Sequence, residues 1–95
     1  MIIEKPLAAG DTVTIVTTAG QEIVARLTET KTNSVVVSKP LAVVASQQGL
    51  GLGPLVFTVN PETKLEINNH AVLFIAKTDT EMAKQYVSST TGIKL

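Results

Sequence analysis

The chain has 95 residues, the size of one ordinary domain, and two separate cores within that length would each be too small to offset the entropy of ordering their backbone. Eight Lys plus Arg balance eight Asp plus Glu, so the formal charge is zero and the uniformly basic surface of an autonomous duplex-DNA binder is excluded. Hydrophobic residues make up 44% of the chain, which argues for a packed core and against disorder, and the lack of cysteine excludes a disulfide framework, a thiolate zinc site and a Cys nucleophile.

Val, Ile and Thr together account for 32 of the 95 residues, and β-branched side chains favour pleated sheet over helix, so the chain should be mostly β. Residues 1–10 read as an arm closed by Ala8-Ala9-Gly10. In Thr12-Val13-Thr14-Ile15-Val16-Thr17, Val13 and Ile15 share one face with threonines opposite, the pattern of a half-buried strand. After a turn at Ala19-Gly20, Ile23, Ala25 and Leu27 face one way while Val24, Arg26 and Thr28 face the other, so a hairpin joins two strands and Arg26 falls on a solvated face. Lys31-Thr32-Asn33 is a polar turn. Residues 34–38 are apolar on both faces at their centre, as in a central strand, and Pro40 limits pairing to one edge.

Residues 41–45 continue extended, and residues 47–54, where glycine alternates with leucine, read as a long hairpin tip. No helix follows to turn free N–H groups toward a phosphate, and no Gly-Lys-Ser/Thr sequence is present, so a phosphate-cradling loop is excluded. Strand signals resume at residues 55–59, pause at Asn60-Pro61-Glu62, resume at 65–67 and, after Asn68-Asn69-His70, end with 71–76. Thr78 and Glu81 have capping-box spacing, and Met82, Ala83, Tyr86 and Val87 recur at helical spacing, predicting one helix over about residues 79–88. The expected organisation is an arm over 1–10, a β domain over 11–77, and a C-terminal helix and tail over 78–95.

These elements describe a small, strongly bent five-stranded antiparallel sheet, a partly open barrel, with a short C-terminal helix. If the fourth and fifth strands are its edges, their unpaired N–H and C=O groups need a cap or another copy, and head-to-tail pairing of copies closes a ring. The N-terminus lacks the basic start and long apolar run of a secretory signal, and no apolar stretch reaches the length of a membrane span, so a cytoplasmic protein without membrane contact is expected.

Two segments carry a family resemblance. Gly20 in the first turn, Ala25 where a bent-strand glycine is usual, Leu27 after it and Asn33 before the 34–37 strand are similar to the first Sm motif. Ile67-Asn68-Asn69-His70-Ala71-Val72-Leu73-Phe74-Ile75 is similar to the second, with Asn69-His70-Ala71 in place of a Lys-His-Ala turn. Over residues 11–76 the chain thus resembles the Sm-like family, which includes the bacterial RNA chaperone Hfq and the LSm proteins, and more closely Sm-like proteins of phage origin. The resemblance implies a homo-oligomeric ring, pentamer to heptamer, closed by fourth-to-fifth-strand pairing with Phe57, Leu65, Ile67, Val72 and Phe74 at the subunit joint. It also implies single-stranded, U-rich RNA at the pore, contacted by Lys31, Asn33, Asn68 and His70, in the host cytoplasm if the source is viral.

Two positions depart from the family. Lys31 stands where an aromatic or His stacks a base, and Asn68 where an Arg sandwiches it, which removes stacking worth about 1–3 kcal/mol per base. The Asn33 loop is shorter than usual, and no N-terminal helix is apparent. Zero net charge and a single arginine also favour a rival expectation, a structural or protein-interaction ring without RNA binding, because RNA affinity rests first on phosphate neutralisation. A third arrangement is a monomeric adaptor whose edges are covered by the arm and the C-terminal helix.

Each candidate residue also has a plain structural reading. His70, the only histidine, could donate to a base edge or 2′-hydroxyl or meet a phosphate when protonated, or simply sit in a turn. Asn68 and Asn69 suit a tight turn, Asn33 could bond a pyrimidine edge or just join two strands, and Lys31 could reach a phosphate or only water. For catalysis there is one His, Asp only at 11 and 79, and no nucleophile-elbow serine. Glu62 and Glu66, four apart in a strand, lie about 13 Å apart at about 3.3 Å per residue, too far for an acid–base pair. No enzyme, cofactor or metal site is expected.

Overall fold

The structure, a computed structural model, describes residues 2–3, 7–60 and 62–91. Its strands are β1 (Ile2–Ile3), β2 (Thr12–Thr17), β3 (Glu22–Thr30), β4 (Ser34–Ser46), β5 (Gly49–Pro54), β6 (Leu65–Asn68) and β7 (Val72–Lys77), and helix α1 (Thr80–Thr91) follows. They form one open sheet in the order β1-β7-β2-β3-β4-β5, with β6 also paired to β4. The β1–β7 pair is parallel and the other pairs are antiparallel. Residues 1, 4–6, 61 and 92–95 lie outside the described residues, and with them parts of the expected arm, of the pause at 60–62 and of the C-terminal tail.

Period-two alternation places the core as the sequence predicts. Val13 and Ile15 of β2 and Ile23, Ala25 and Leu27 of β3 meet Val35 and Val37 of β4 and Val72 and Ile75 of β7 in one buried cluster. Full burial of a Val, Leu or Ile stabilises by roughly 1.5–3 kcal/mol, so this cluster dominates the energetics. Leu7, Leu55, Leu65 and Ile67 pack against its rim.

Three irregularities bend the sheet. Between Val24↔Leu41 and Arg26↔Ser38 the register shifts by one residue in β4, and there Lys39 adopts φ 51°, a left-handed conformation that costs on the order of 1–3 kcal/mol outside glycine. Helix α1 offsets part of that cost. Tyr86, fully buried, donates its hydroxyl to the Lys39 carbonyl at 2.8 Å and lies 3.3 Å from the Ser38 carbonyl. A second shift leaves Thr28 as the extra residue of β3, its hydroxyl donating to the Val36 carbonyl at 2.9 Å. A third leaves Leu73 as the extra residue of β7, between the Thr17↔Val72 and Val16↔Phe74 pairs.

The structure corrects several expectations. Residues 47–54 are not a long hairpin tip: only Gln47 and Gln48 turn, and Gly49–Pro54 forms β5 against residues 41–46. The glycines of β5 share a face with Val44, whose methyls would lie 3.8 Å from a side chain at Gly51 and 4.0 Å from one at Gly53, so backbone pairing proceeds without side-chain packing on that face. Residues 55–59 are not a strand, because the β4 segment they would pair with is the bulge around Lys39 and Pro40. Proline has no N–H to donate there. The fourth strand is therefore split into β5 and β6, end to end along β4, with residues 55–60 and 62–64 outside both.

Asp79 rather than Thr78 caps α1, its Oδ2 accepting from the Glu81 and Met82 amides at 3.2 and 3.5 Å. Thr78 is instead buried, 2.9 Å from the Thr14 hydroxyl. Arg26 is not on a solvated face. It is partly buried beside Tyr86, with its Nε buried and unpartnered among the described residues.

Candidate functional site

Two turns distant in sequence meet at one end of the sheet. The β4–β6 ladder runs from Val37↔Leu65 to Ser34↔Asn68, which brings the turn before β4 alongside the turn after β6. In the first, the Lys31 amide donates to the Ser34 carbonyl at 2.8 Å. In the second, Asn69–Ala71 forms one turn of 3-10 helix, and Asn68 caps it by accepting from the His70 amide at 2.8 Å. Asparagine serves that position because its short side chain reaches its own backbone two residues on. The turns are stitched together by the Asn69 amide, which donates to the Asn33 carbonyl at 2.9 Å, and by Asn69 Nδ2, which donates to the Thr32 carbonyl at 3.4 Å.

Lys31, Asn33, Asn68 and His70, predicted from two separate segments, are thus brought together, and all four are exposed. The His70 ring and the Asn33 amide bond no described residue. Asn69 has a structural role, with its Oδ1 buried and unpartnered among the described residues.

Two further members were missed. Glu66 Oε2 accepts from the Ser34 hydroxyl at 2.7 Å, and Glu66 Oε1 lies 3.5 Å from Lys31 Nζ. The Ser34 hydroxyl, and after it the Lys31 charge, hold the Glu66 carboxyl below the usual carboxylate range. Both partners of the ion pair are about half exposed, at 44% and 55%, so solvent screens the attraction, yet the local charge of Lys31 is matched. Glu62 and Glu66, expected to lie too far apart for an acid–base pair, each meet a different lysine, with Glu62 Oε2 3.8 Å from Lys39 Nζ. Only opposite charge at positions 31 and 66 could have signalled the contact, and that requires knowing that β4 pairs with β6.

The residues expected at a subunit joint separate into three environments. Val72 is 3% exposed and belongs to the core, while Leu65 and Ile67 on β6 pack on the core's rim. Phe57 in the 55–64 loop is 84% exposed, and Phe74 on β7 is 38% exposed with Leu73 beside it. Phe57 borders a cleft of about 340 Å³ lined by Pro40, Leu41, Leu55, Val59 and Leu65. Phe57 and Phe74 therefore lie toward opposite sides of the strand order, Phe57 beside β5 and β6 and Phe74 on β7, which β1 flanks.

A larger cleft, about 760 Å³, lies beside α1 between Asp11, Lys77, Thr78 and Lys84, away from the two turns. Among the described residues no group of three or more His, Asp or Glu is placed to hold a metal ion. No helix of the described residues is long and apolar enough to cross a membrane. The joined turns offer amide, imidazole and carboxylate groups for hydrogen bonding, with His70 as their one ring. No family model matches the chain, and no curated protein matches it.

Proposed function

We propose that this chain is a non-enzymatic, Sm-like subunit of a homo-oligomeric ring whose joined turns contact single-stranded, U-rich RNA through base edges. The supporting observation is the junction itself: residues 31–33 and 68–70 are tied by the Asn69–Asn33 bond and leave the Asn33 amide and His70 ring open. An asparagine amide offers one donor and one acceptor side by side, which matches the N3–H and O4 of uracil. A ring repeats that set once per subunit around a shared opening. Because Glu66 matches Lys31, contacts to bases rather than to phosphates carry the binding. Head-to-tail closure of a pentamer to heptamer places the β7 edge, with Phe74, against the β5–β6 edge, with Phe57, of the next copy.

The test is size-exclusion chromatography with light scattering, on the protein alone and with oligouridine. A ring mass that co-elutes with RNA is the expected result, and changing Asn33 and His70 together to Ala should weaken RNA binding at unchanged ring mass. Unchanged binding would sink the site assignment, and a monomer would sink the ring. A second reading, a structural or protein-interaction ring without RNA, is favoured by the Lys31–Glu66 neutralisation and by the missing stacking planes at Lys31 and Asn68. A ring that ignores oligouridine selects it.

A further inference from the structure

We infer that β1 is an exchangeable cap on the β7 edge, so that the chain's own arm and a second copy compete for one set of backbone groups. The inference deepens the ring reading above and rests on it.

Ile2 and Ile3 pair with Phe74 and Ile75, the middle of β7, and this two-residue ladder is the parallel pairing of the sheet. The root of the arm is fixed independently of its tip. The Gly10 amide donates to the Leu27 carbonyl at 2.7 Å, the Leu27 amide to the Asp11 carbonyl at 2.8 Å, and the Ala8 amide to Asp11 Oδ2 at 3.0 Å, while Leu7 packs on the core's rim. Residues 7–11 are therefore anchored independently of the short β1 ladder.

At the other end of the strand order, β6 presents four residues whose only described strand partner is β4. Laying β6 of a second copy antiparallel along β7 requires the outward N–H and C=O groups of Ile75, on which β1 sits, because Phe74 and Ala76 turn theirs toward β2 in the register that the Thr78 amide makes with the Thr12 carbonyl. One such set cannot serve both strands at once. A four-residue antiparallel ladder outcompetes a two-residue parallel one bond for bond, but the tethered arm acts at an effective concentration in the millimolar range. The cap thus sets the protein concentration above which copies join, and below it shields an edge that would otherwise template open-ended pairing.

The experiment is sedimentation velocity of the full chain and of Ile2→Pro across a wide concentration range, with amide hydrogen exchange of residues 73–76 on the same samples. Proline removes the N–H at position 2, the one that faces β7 in this register. The assembly midpoint should fall about tenfold or more in Ile2→Pro with the assembled mass unchanged, and the Ile75 amide should exchange faster in its dilute, unassembled form. An unchanged midpoint in chains that still assemble overturns the cap and leaves the ring standing. A raised midpoint also overturns it, because the arm then belongs to the joint. If neither chain assembles, the ring reading fails, and with it the competition between arm and copy.

Discussion

Glu66→Gln tests the electrostatics of the joined turns directly. Glutamine keeps the length of the side chain and an oxygen to accept from the Ser34 hydroxyl, now 2.7 Å from Glu66 Oε2, but carries no charge to match Lys31, now 3.5 Å from Oε1. The Lys31 ammonium is then available to a phosphate. For single-stranded nucleic acid, each phosphate neutralised steepens the slope of log affinity against log salt by roughly 0.7. In a ring the change occurs once per subunit, so an oligouridine crossing about three subunits should gain about 2 in slope, with tighter binding at low salt. Fluorescence anisotropy of labelled oligouridine across a salt series reads both quantities. Lys31→Ala in the Glu66→Gln background should return the slope to that of the unsubstituted protein, which isolates the pair from other effects. An unchanged slope in Glu66→Gln would refute the reasoning, because Lys31 would then be either already engaged with RNA or out of its reach.

The same carboxylate has a sign-specific pH signature: its pKa is lowered in the folded state, so its contribution is present above the unfolded value and lost as pH falls through the folded one, and Glu66→Gln should flatten the acid limb of a stability profile. Tyr86→Phe removes only the hydroxyl that holds the Lys39 and Ser38 carbonyls, and should cost about 1–2 kcal/mol in chemical denaturation, or about 5–10 °C in Tm at equal protein concentration. A loss within error of zero would mean that water or a shifted backbone satisfies the bulge. Burial raises the Tyr86 pKa, so its contribution is complete below tyrosine's ordinary value and is lost as pH rises through the folded one; as Tyr86 is the only tyrosine, phenolate absorbance reads it alone. Phe74→Asp should reduce the ring to smaller species in light scattering while circular dichroism stays native, and a preserved mass would remove β7 from the joint.

Several local features were read correctly, while the Thr78 cap, the tip at residues 47–54 and the strand at 55–59 were not. The inward faces of β2 and β3, the central strand at residues 34–38, the turns at 31–33 and 68–70 and the C-terminal helix all follow from side-chain periodicity or turn chemistry, and these act over a few residues along the chain. Lys31, Asn33, Asn68 and His70 were each expected in or beside a polar turn, and the structure places them there. Glu66 was not expected with them, because its partners lie 32 and 35 positions away.

Val72 and Phe74 mark the boundary most clearly. Strict alternation puts them on one face, yet Val72 is core and Phe74 is exposed, because Leu73 is an extra residue against β2. The bulges at Thr28 and Lys39, the division of one edge into β5 and β6, and the seat of β1 on β7 have the same origin. By itself the sequence determined most of the β-forming segments, the turns and the apolar faces, since local sterics and hydrophobicity settle those within a strand, but not that Gly49–Pro54 pairs while residues 55–59 do not. Only the tertiary structure decided register, and so which charges pair and which edge is capped, because a one-residue shift between strands exchanges faces without changing any local preference.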